Sequence, residues 1–502
     1  MRFGKFGRFG KLRGTRVFLV LAIFAFVVLG AAAVWLGGLN QDEGWYLYAA
    51  NLVAEGKVLY RDFFYTQGPG MPNFYRAFTW IWKSWGLLGA RVFTLTLGFA
   101  GLVIAAALAR HLAPEGRKGE AALVTFLLLG CNLYHLYYVA IPKTYALASM
   151  FVMIGFFLLF VGKKPLFSLV VGLALAYAAG TRISLGALLC VVGLWLLCSR
   201  QWKHLLWFCI GGFGGLALVY GPYLCDAGAR EGLIAAQQYH AARGGFDLVW
   251  TVGSLSRLVR WYLPAFVVLG LGIKVKGEGG QWNGLNLLLF SFLAVFIVQM
   301  LAPFPYEDYQ VPVMGLIAVY AAVNFVRNVN TPPFTFTSHL HLLLVLGLCF
   351  ANSFGSPLLE KWMTNGQDRF WSLKKEKCEL AQLRDVAKRI EAQDPGGRTL
   401  FTQDLYLAIE TNRKVPKGLE MGPFAMMPDE EWKRILTETA PAECKVAALS
   451  GYAFAIESPV CNERSVEKQM EYWTLLKQNY KLVDREEAFG QNATTLLMLK
   501  RK

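Results

Sequence analysis

Long apolar runs separated by short polar breaks fill the first two thirds of the chain. They run from Val17 to Leu36, Val92 to Ala109, Ala121 to Ile141, Tyr145 to Val161, Leu166 to Ala179, Leu185 to Cys198, Leu205 to Leu224, Tyr262 to Ile273, Leu285 to Leu301, Val311 to Val326 and Leu340 to Phe354. Apolar stretches approaching the roughly 20 residues that cross a bilayer predict transmembrane helices, so about eleven are expected. Several runs fall short of that length, and Tyr262 to Ile273 is the weakest of them.

After Phe354 the pattern changes to that of a water-facing α/β unit. Leu380, Leu383, Val386, Ala387 and Ile390 repeat at helical spacing within Cys378 to Gln393, and Pro395-Gly396-Gly397 ends the segment. Thr399-Leu400-Phe401, Val446 to Leu449 and Thr494 to Leu499 read as strands. Further helices are expected from about Asp429 to Thr437, entered through Pro428, and near Val466 to Gln478. The chain thus divides into a membrane part, residues 1–355, with a first outer loop at about 40–90, and a C-terminal α/β domain, residues 356–502.

Composition agrees with that division. Hydrophobic residues make up 55% of the 502 positions and charged residues 17%, with a mean hydropathy of +0.39, too apolar for a soluble protein of this size. The net charge of +16 lies in short clusters between apolar runs, not on one face with interleaved aromatics, so it marks topology and not a nucleic-acid surface. Arg2, Lys5, Arg8, Lys11, Arg13 and Arg16 precede the first run and place the N-terminus in the cytoplasm. Arg110, Arg117 and Lys118, then Lys163 and Lys164, Arg200 and Lys203, Lys274 and Lys276, and Arg327 fall on the same side. An odd number of crossings leaves the C-terminal domain outside. The Phe-Gly repeat from Arg2 to Gly10 reads as a flexible basic anchor for anionic headgroups. Cys131, Cys190, Cys198, Cys209 and Cys349 lie in apolar runs as core fillers, no pair has C-x-x-C spacing, and Cys444 and Cys461 could bridge in an oxidising compartment.

Charged residues at a membrane edge are costly unless used. Asp42-Glu43 opens the loop after the first run. Lys143, after Pro142, and Arg182, in Gly180-Thr181-Arg182, stand at outer turns against the positive-inside bias. His240 and Arg243 follow the seventh run. Cations at the lipid-water boundary suit a lipid-borne phosphate, which Arg binds with a two-pronged fork and Lys as a mobile point charge. A carboxylate opposite them can take a proton from a hydroxyl nucleophile. Each residue also has a plainer use. Asp42-Glu43 can cap a short helix through Tyr46 to Val53, Lys143 and Arg182 can snorkel to headgroups, His240 can be an ordinary loop residue, and Arg61 can pair with Asp62. Trp80, Trp82 and Trp85 fit an interfacial aromatic belt.

The segment from Asp42-Glu43-Gly44-Trp45-Tyr46-Leu47-Tyr48 through Tyr60-Arg61-Asp62-Phe63-Phe64 to Gln67-Gly68-Pro69 resembles the first outer loop of bacterial family 39-like, type C glycosyltransferases. These are relatives of the protein O-mannosyltransferases and the lipid A aminoarabinose transferase. Thr181-Arg182 and Tyr306-Glu307-Asp308-Tyr309-Gln310-Val311-Pro312 extend the resemblance over about residues 1–355. It implies a multi-pass enzyme of the bacterial inner membrane that moves a sugar from a polyprenyl-phosphate donor to a lipid, glycan or protein acceptor at the outer face. Asp42 would be the catalytic carboxylate, with Glu43 assisting or shaping the site. Lys143, Arg182, His240, Arg243 and Gln67 would meet the donor phosphate, and Tyr46, Tyr60, Arg61, Asp62, Tyr306, Glu307, Asp308 and Tyr309 would line the cavity. Relatives often carry Lys or His where this chain has Gln67, and an acidic residue where it has Lys143-Thr144. No metal is expected, although a divalent cation is compatible with the chemistry. A lipid-linked oligosaccharide ligase or polymerase shares this layout. A lipid flippase would instead need charges at mid-depth and internal pseudo-symmetry, and neither is visible.

Overall fold

A computed structural model describes residues 6–241, 246–272, 284–302, 305–328, 336–354, 377–424, 428–451 and 466–502. Among the described residues the regular elements of its membrane part are all helical, beside one isolated bridge between Leu59 and Phe63. In chain order the helices are α1 (Phe6–Leu36), α2 (Gln41–Ala54), α3 (Gly70–Tyr75), α4 (Thr79–Leu112), α5 (Lys118–Gly130), α6 (Leu133–Ala140), α7 (Thr144–Val161) and α8 (Pro165–Thr181). They continue as α9 (Gly186–Cys198), α10 (Trp202–Cys225), α11 (Ala227–Ala241), α12 (Leu248–Trp261), α13 (Leu263–Gly272), α14 (Gly284–Met300), α15 (Met314–Asn328) and α16 (Phe336–Phe354). Among the described residues five helices are long and apolar enough to cross a membrane, or seven if each of two bent pairs is one span. Four further apolar helices are shorter than these, so the count of eleven is not confirmed. The third and eighth apolar runs explain part of the difference. α5 and α6 meet at 70°, because Asn132 caps a new helix by accepting the His135 N–H at 3.1 Å, and α12 and α13 meet at 77°. The Phe-Gly repeat is helical from Phe6 onward, where a flexible anchor was expected.

Side chains such as Val20, Phe24, Phe213 and Leu218 stay exposed on α1 and α10, as suits surfaces that face lipid. α15 is buried along nearly its whole length and forms the centre of the bundle. α4 breaks at Gly86, whose φ of 62° and ψ of −155° belong to a region open almost only to glycine. A Cβ there would also run into the Glu410 carboxylate. Gly86→Ala is therefore expected to destabilise the protein by roughly 1–3 kcal/mol, read from thermal unfolding in detergent.

The C-terminal segment holds α17 (Glu379–Gln393), α18 (Leu405–Glu410), α19 (Asp429–Arg434), α20 (Ala440–Glu443) and α21 (Val466–Asn479). They accompany an antiparallel sheet of β1 (Val446–Ser450), β2 (Tyr480–Phe489) and β3 (Thr494–Arg501) in the order β1-β3-β2. α17 buries the periodic Leu380, Leu383, Val386 and Ile390. Thr399 and Phe401 make single bridges to Lys414 and Ala447 and form no strand of the sheet. α19 continues as a π-helical turn, Ile435–Thr439. Cys444 is a buried free thiol pushed up to about 12 by that burial, and Cys461 lies outside the described residues.

This segment docks onto α2. The Gln41 side-chain amide donates to Asp404 Oδ1 at 2.6 Å and to the Tyr406 hydroxyl at 3.2 Å, while Val415 N–H donates to the Tyr48 hydroxyl at 3.0 Å. Gly44 lies against the backbone of Leu405, where a Cβ would come within 2.7 Å of the carbonyl carbon. Leu87 N–H, just past the α4 break, donates to Glu410 Oε2 at 2.7 Å.

Candidate active site

α2 starts at a capping box. The Asn40 side chain accepts the Asp42 N–H at 3.0 Å, and Glu43 Oε1 returns to the Asn40 N–H at 3.0 Å. The two acidic neighbours then part. Glu43 is fully buried and takes both prongs of Arg91, at 2.7 Å from Nε and 2.6 Å from Nη2. Arg91 spends its remaining donors on the carbonyls of Val34, Gly37 and Gly38. Every strong bond of Glu43 is thus internal, and its geometry suits holding the α1–α2 corner, a shaping role.

Asp42 stays partly open, with 29% of its side chain exposed. Its Oδ1 accepts the Trp45 indole N–H at 3.0 Å, and its Oδ2 lies 3.0 Å from Lys143 Nζ. Lys143 stands at the N-terminus of α7, where both the helix dipole and the membrane bias disfavour a cation. Two carboxylates compensate it, since Asp308 Oδ2 lies 3.6 Å from the same ammonium and also accepts the Tyr145 hydroxyl at 2.6 Å. Lys143 further sits 5.6 and 5.5 Å from the ring centres of Tyr138 and Tyr145.

Arg182, at the C-terminus of α8, lies between the rings of Tyr145 and Tyr309, at 4.8 and 4.6 Å from their centres, and donates to the Thr144 hydroxyl at 3.2 Å. Glu307 is occupied by Arg257 at 3.0 Å and Ser254 at 3.2 Å. Among the described residues, no carboxylate comes within ion-pairing distance of Arg182, and its Nε has no hydrogen-bond partner. Tyr46, stacked on Trp45 at 3.8 Å, feels the charges of Asp42, Arg182 and Lys143. Burial pushes its hydroxyl well above the ordinary tyrosine range, so it stays protonated as a donor.

The structure therefore gathers Asp42, Tyr46, Lys143, Arg182, Asp308 and Tyr309 into one cluster, with Tyr306 in edge contact with Tyr309 at 5.5 Å. The other expected residues have other partners. His240 Nε2 donates to the Thr66 carbonyl at 2.7 Å, and Tyr60 donates to the Gln67 carbonyl at 2.6 Å, which ties α11 to the loop. Arg61 bridges Asp62 at 3.0 Å and Asp226 at 2.7 Å, so both are engaged in a half-exposed ion triad. Arg243 lies outside the described residues. Tyr145 joins the cluster without having been singled out, although it opens an apolar run two positions after Lys143, and Arg257 holds Glu307 next to Asp308. Among the described residues no group of three or more His, Cys, Asp or Glu side chains could hold a metal ion.

These features define a multi-pass membrane protein with the type C glycosyltransferase fold. The architecture is that of ArnT from Cupriavidus metallidurans, to which the chain is similar over 96% of its own length and 97% of that chain. The TM-score is 0.61 at 14% identity for the apo state and 0.58 at 12% for the form bound to undecaprenyl phosphate. A more distant likeness, at TM-score 0.44 and 10% identity over 88% of this chain and 72% of that one, extends to the apo oligosaccharyltransferase of Archaeoglobus fulgidus. No protein-family model and no curated protein matches the sequence.

Proposed function

We propose that this protein is an integral-membrane glycosyltransferase that moves a sugar from a polyprenyl-phosphate donor to a hydroxyl acceptor at the outer face of a bacterial inner membrane. The observation that carries this reading is the cluster of an open carboxylate, an ammonium shared between two carboxylates and a guanidinium with no carboxylate partner among the described residues. Arg182 offers the donor phosphate a charge-assisted site, and Lys143 can swing from Asp42 to the same phosphate while Asp308 keeps it within reach. Phosphate binding in this way frees Asp42 Oδ2. The acceptor hydroxyl then gives its proton to Asp42 as its oxygen bonds to the anomeric carbon. The bond from that carbon to the phosphate oxygen breaks, and its electron pair leaves with the polyprenyl phosphate, stabilised by Lys143 and Arg182. One base on one face supports a single displacement with inversion. ArnT bound to undecaprenyl phosphate, sharing this fold, supports a lipid of that class as the donor carrier.

The test is radiolabelled transfer in proteoliposomes, offering polyprenyl-phosphate sugars and nucleotide sugars. One polyprenyl donor should be turned over, and Arg182→Gln should lower kcat/KM on the order of a hundredfold, the loss of a charged hydrogen-bond pair to phosphate. A well-folded protein that turns over no polyprenyl donor would overturn the reading.

A further inference from the structure

A trough of about 570 Å³ lies between α7, α8 and α10, away from this cluster. α8 forms its floor through Val170, Leu173 and Ala174. α7 contributes Phe151 and Ile154 to one wall, and α10 contributes Leu218 and Val219 to the other. Its open flank is apolar and exposed, with Leu218 at 74%, on α10, a helix long and apolar enough to cross a membrane. One end differs from the rest. There α3 and the turn after it cap the trough with Asn73 and Arg76, beside Tyr177 and Tyr223. Asn73 and Tyr223 bond each other at 2.9 Å, and Tyr177 donates to the Gly70 carbonyl at 2.8 Å. Arg76 is exposed, acts electrostatically on both tyrosines, and makes no ion pair among the described residues.

We propose that this trough is a binding site for a second lipid, an anionic phosphate-bearing acyl lipid, with its phosphate on Arg76 and one acyl chain along α8. The inference rests on the transferase reading only for the word second. A phosphate complements an exposed guanidinium flanked by an amide and two hydroxyls, and the walls below offer only apolar contact. The trough follows α8 from Val170 to Tyr177, roughly 10 Å at 1.5 Å per residue, which lies within one leaflet of a bilayer core about 30 Å thick. Arg182 follows the last turn of α8 with extended backbone, and its guanidinium lies between Tyr145 and Tyr309, neither of which lines the trough. The headgroup at Arg76 and the phosphate assigned to Arg182 therefore have separate sets of contacts, and one lipid phosphate does not serve both.

Native mass spectrometry of the detergent-purified protein tests this with phosphatidylglycerol, phosphatidylcholine and undecaprenyl phosphate as probes. One phosphatidylglycerol should be retained in preference to phosphatidylcholine. Arg76→Gln should weaken it about tenfold, the loss of one charged contact. Leu218→Trp, a change at an exposed position that leaves the fold intact, should fill the trough and weaken retention as well. Undecaprenyl phosphate should bind alongside phosphatidylglycerol, and its binding should be unchanged in both variants. Equal retention of the two phospholipids, or no response to either substitution, would overturn the proposal. One-for-one displacement of phosphatidylglycerol by undecaprenyl phosphate would give the trough to the donor's own chain and overturn it equally. A failure of transfer activity with this binding pattern intact would count against the transferase reading alone.

Discussion

Asp42→Asn is expected to lower sugar transfer by about 10²–10⁴-fold, the usual contribution of a positioned general base, while leaving donor binding in place. The amide keeps the size of the carboxylate and can still accept the Trp45 indole N–H, so α2 loses little. What disappears is the ability to take a proton, together with the charge that holds Lys143 at 3.0 Å. Lys143 retains Asp308, so its ammonium stays in the cluster and remains able to meet phosphate. A radiolabelled single-turnover assay set beside a donor-binding measurement separates the two effects. Loss of turnover with binding kept fits the base. Full activity in the variant would reduce Asp42 to a helix-capping residue.

The second large effect concerns stability. Arg91→Met should cost about 3–5 kcal/mol, because it leaves Glu43 as an uncompensated charge in a fully buried site. The carbonyls of Val34, Gly37 and Gly38 lose their donor at the same time. Glu43→Gln should cost less, since an amide can still accept from the guanidinium and from Asn40. Thermal unfolding in a single detergent would rank the two. If Arg91→Met unfolds no earlier than Glu43→Gln, the pair is not what secures the α1–α2 corner.

Much of this site was legible in the chain, for identifiable reasons. Lys143 and Arg182 stood out because they break the charge bias of membrane loops, and that anomaly has a physical cause in the carboxylates and tyrosine rings now seen around them. Asp42 stood out as an acid at a membrane edge. The separation of Glu43 from Asp42 was not legible, because its partner Arg91 lies 48 positions away at the head of an apolar run and looks like an ordinary flanking cation. His240 had a plausible charge and place, yet its direction depends on how α11 folds back onto Thr66. Apolar runs record burial in lipid but not the angle at which a chain turns, so the bends at Asn132 and after Trp261 were hidden. β2 escaped notice because it lies at the sheet edge with Lys481, Asp484, Arg485, Glu486 and Glu487 along it, and two register irregularities interrupt its alternation.

The grip of the C-terminal segment on α2 has a bearing on how the protein is made. Gln41, one position before Asp42, is held by a residue that enters the sequence 363 positions later. A nascent chain inserted in the bilayer presents Asp42 on a helix whose outer partners, Asp404, Tyr406 and Val415, are still inside the ribosome. The support of α2 thus arrives late in synthesis, and an interrupted chain is a membrane protein whose Asp42 helix lacks these outer contacts. The order of the sequence itself leaves this corner of the proposed site incomplete until the C-terminal segment has folded.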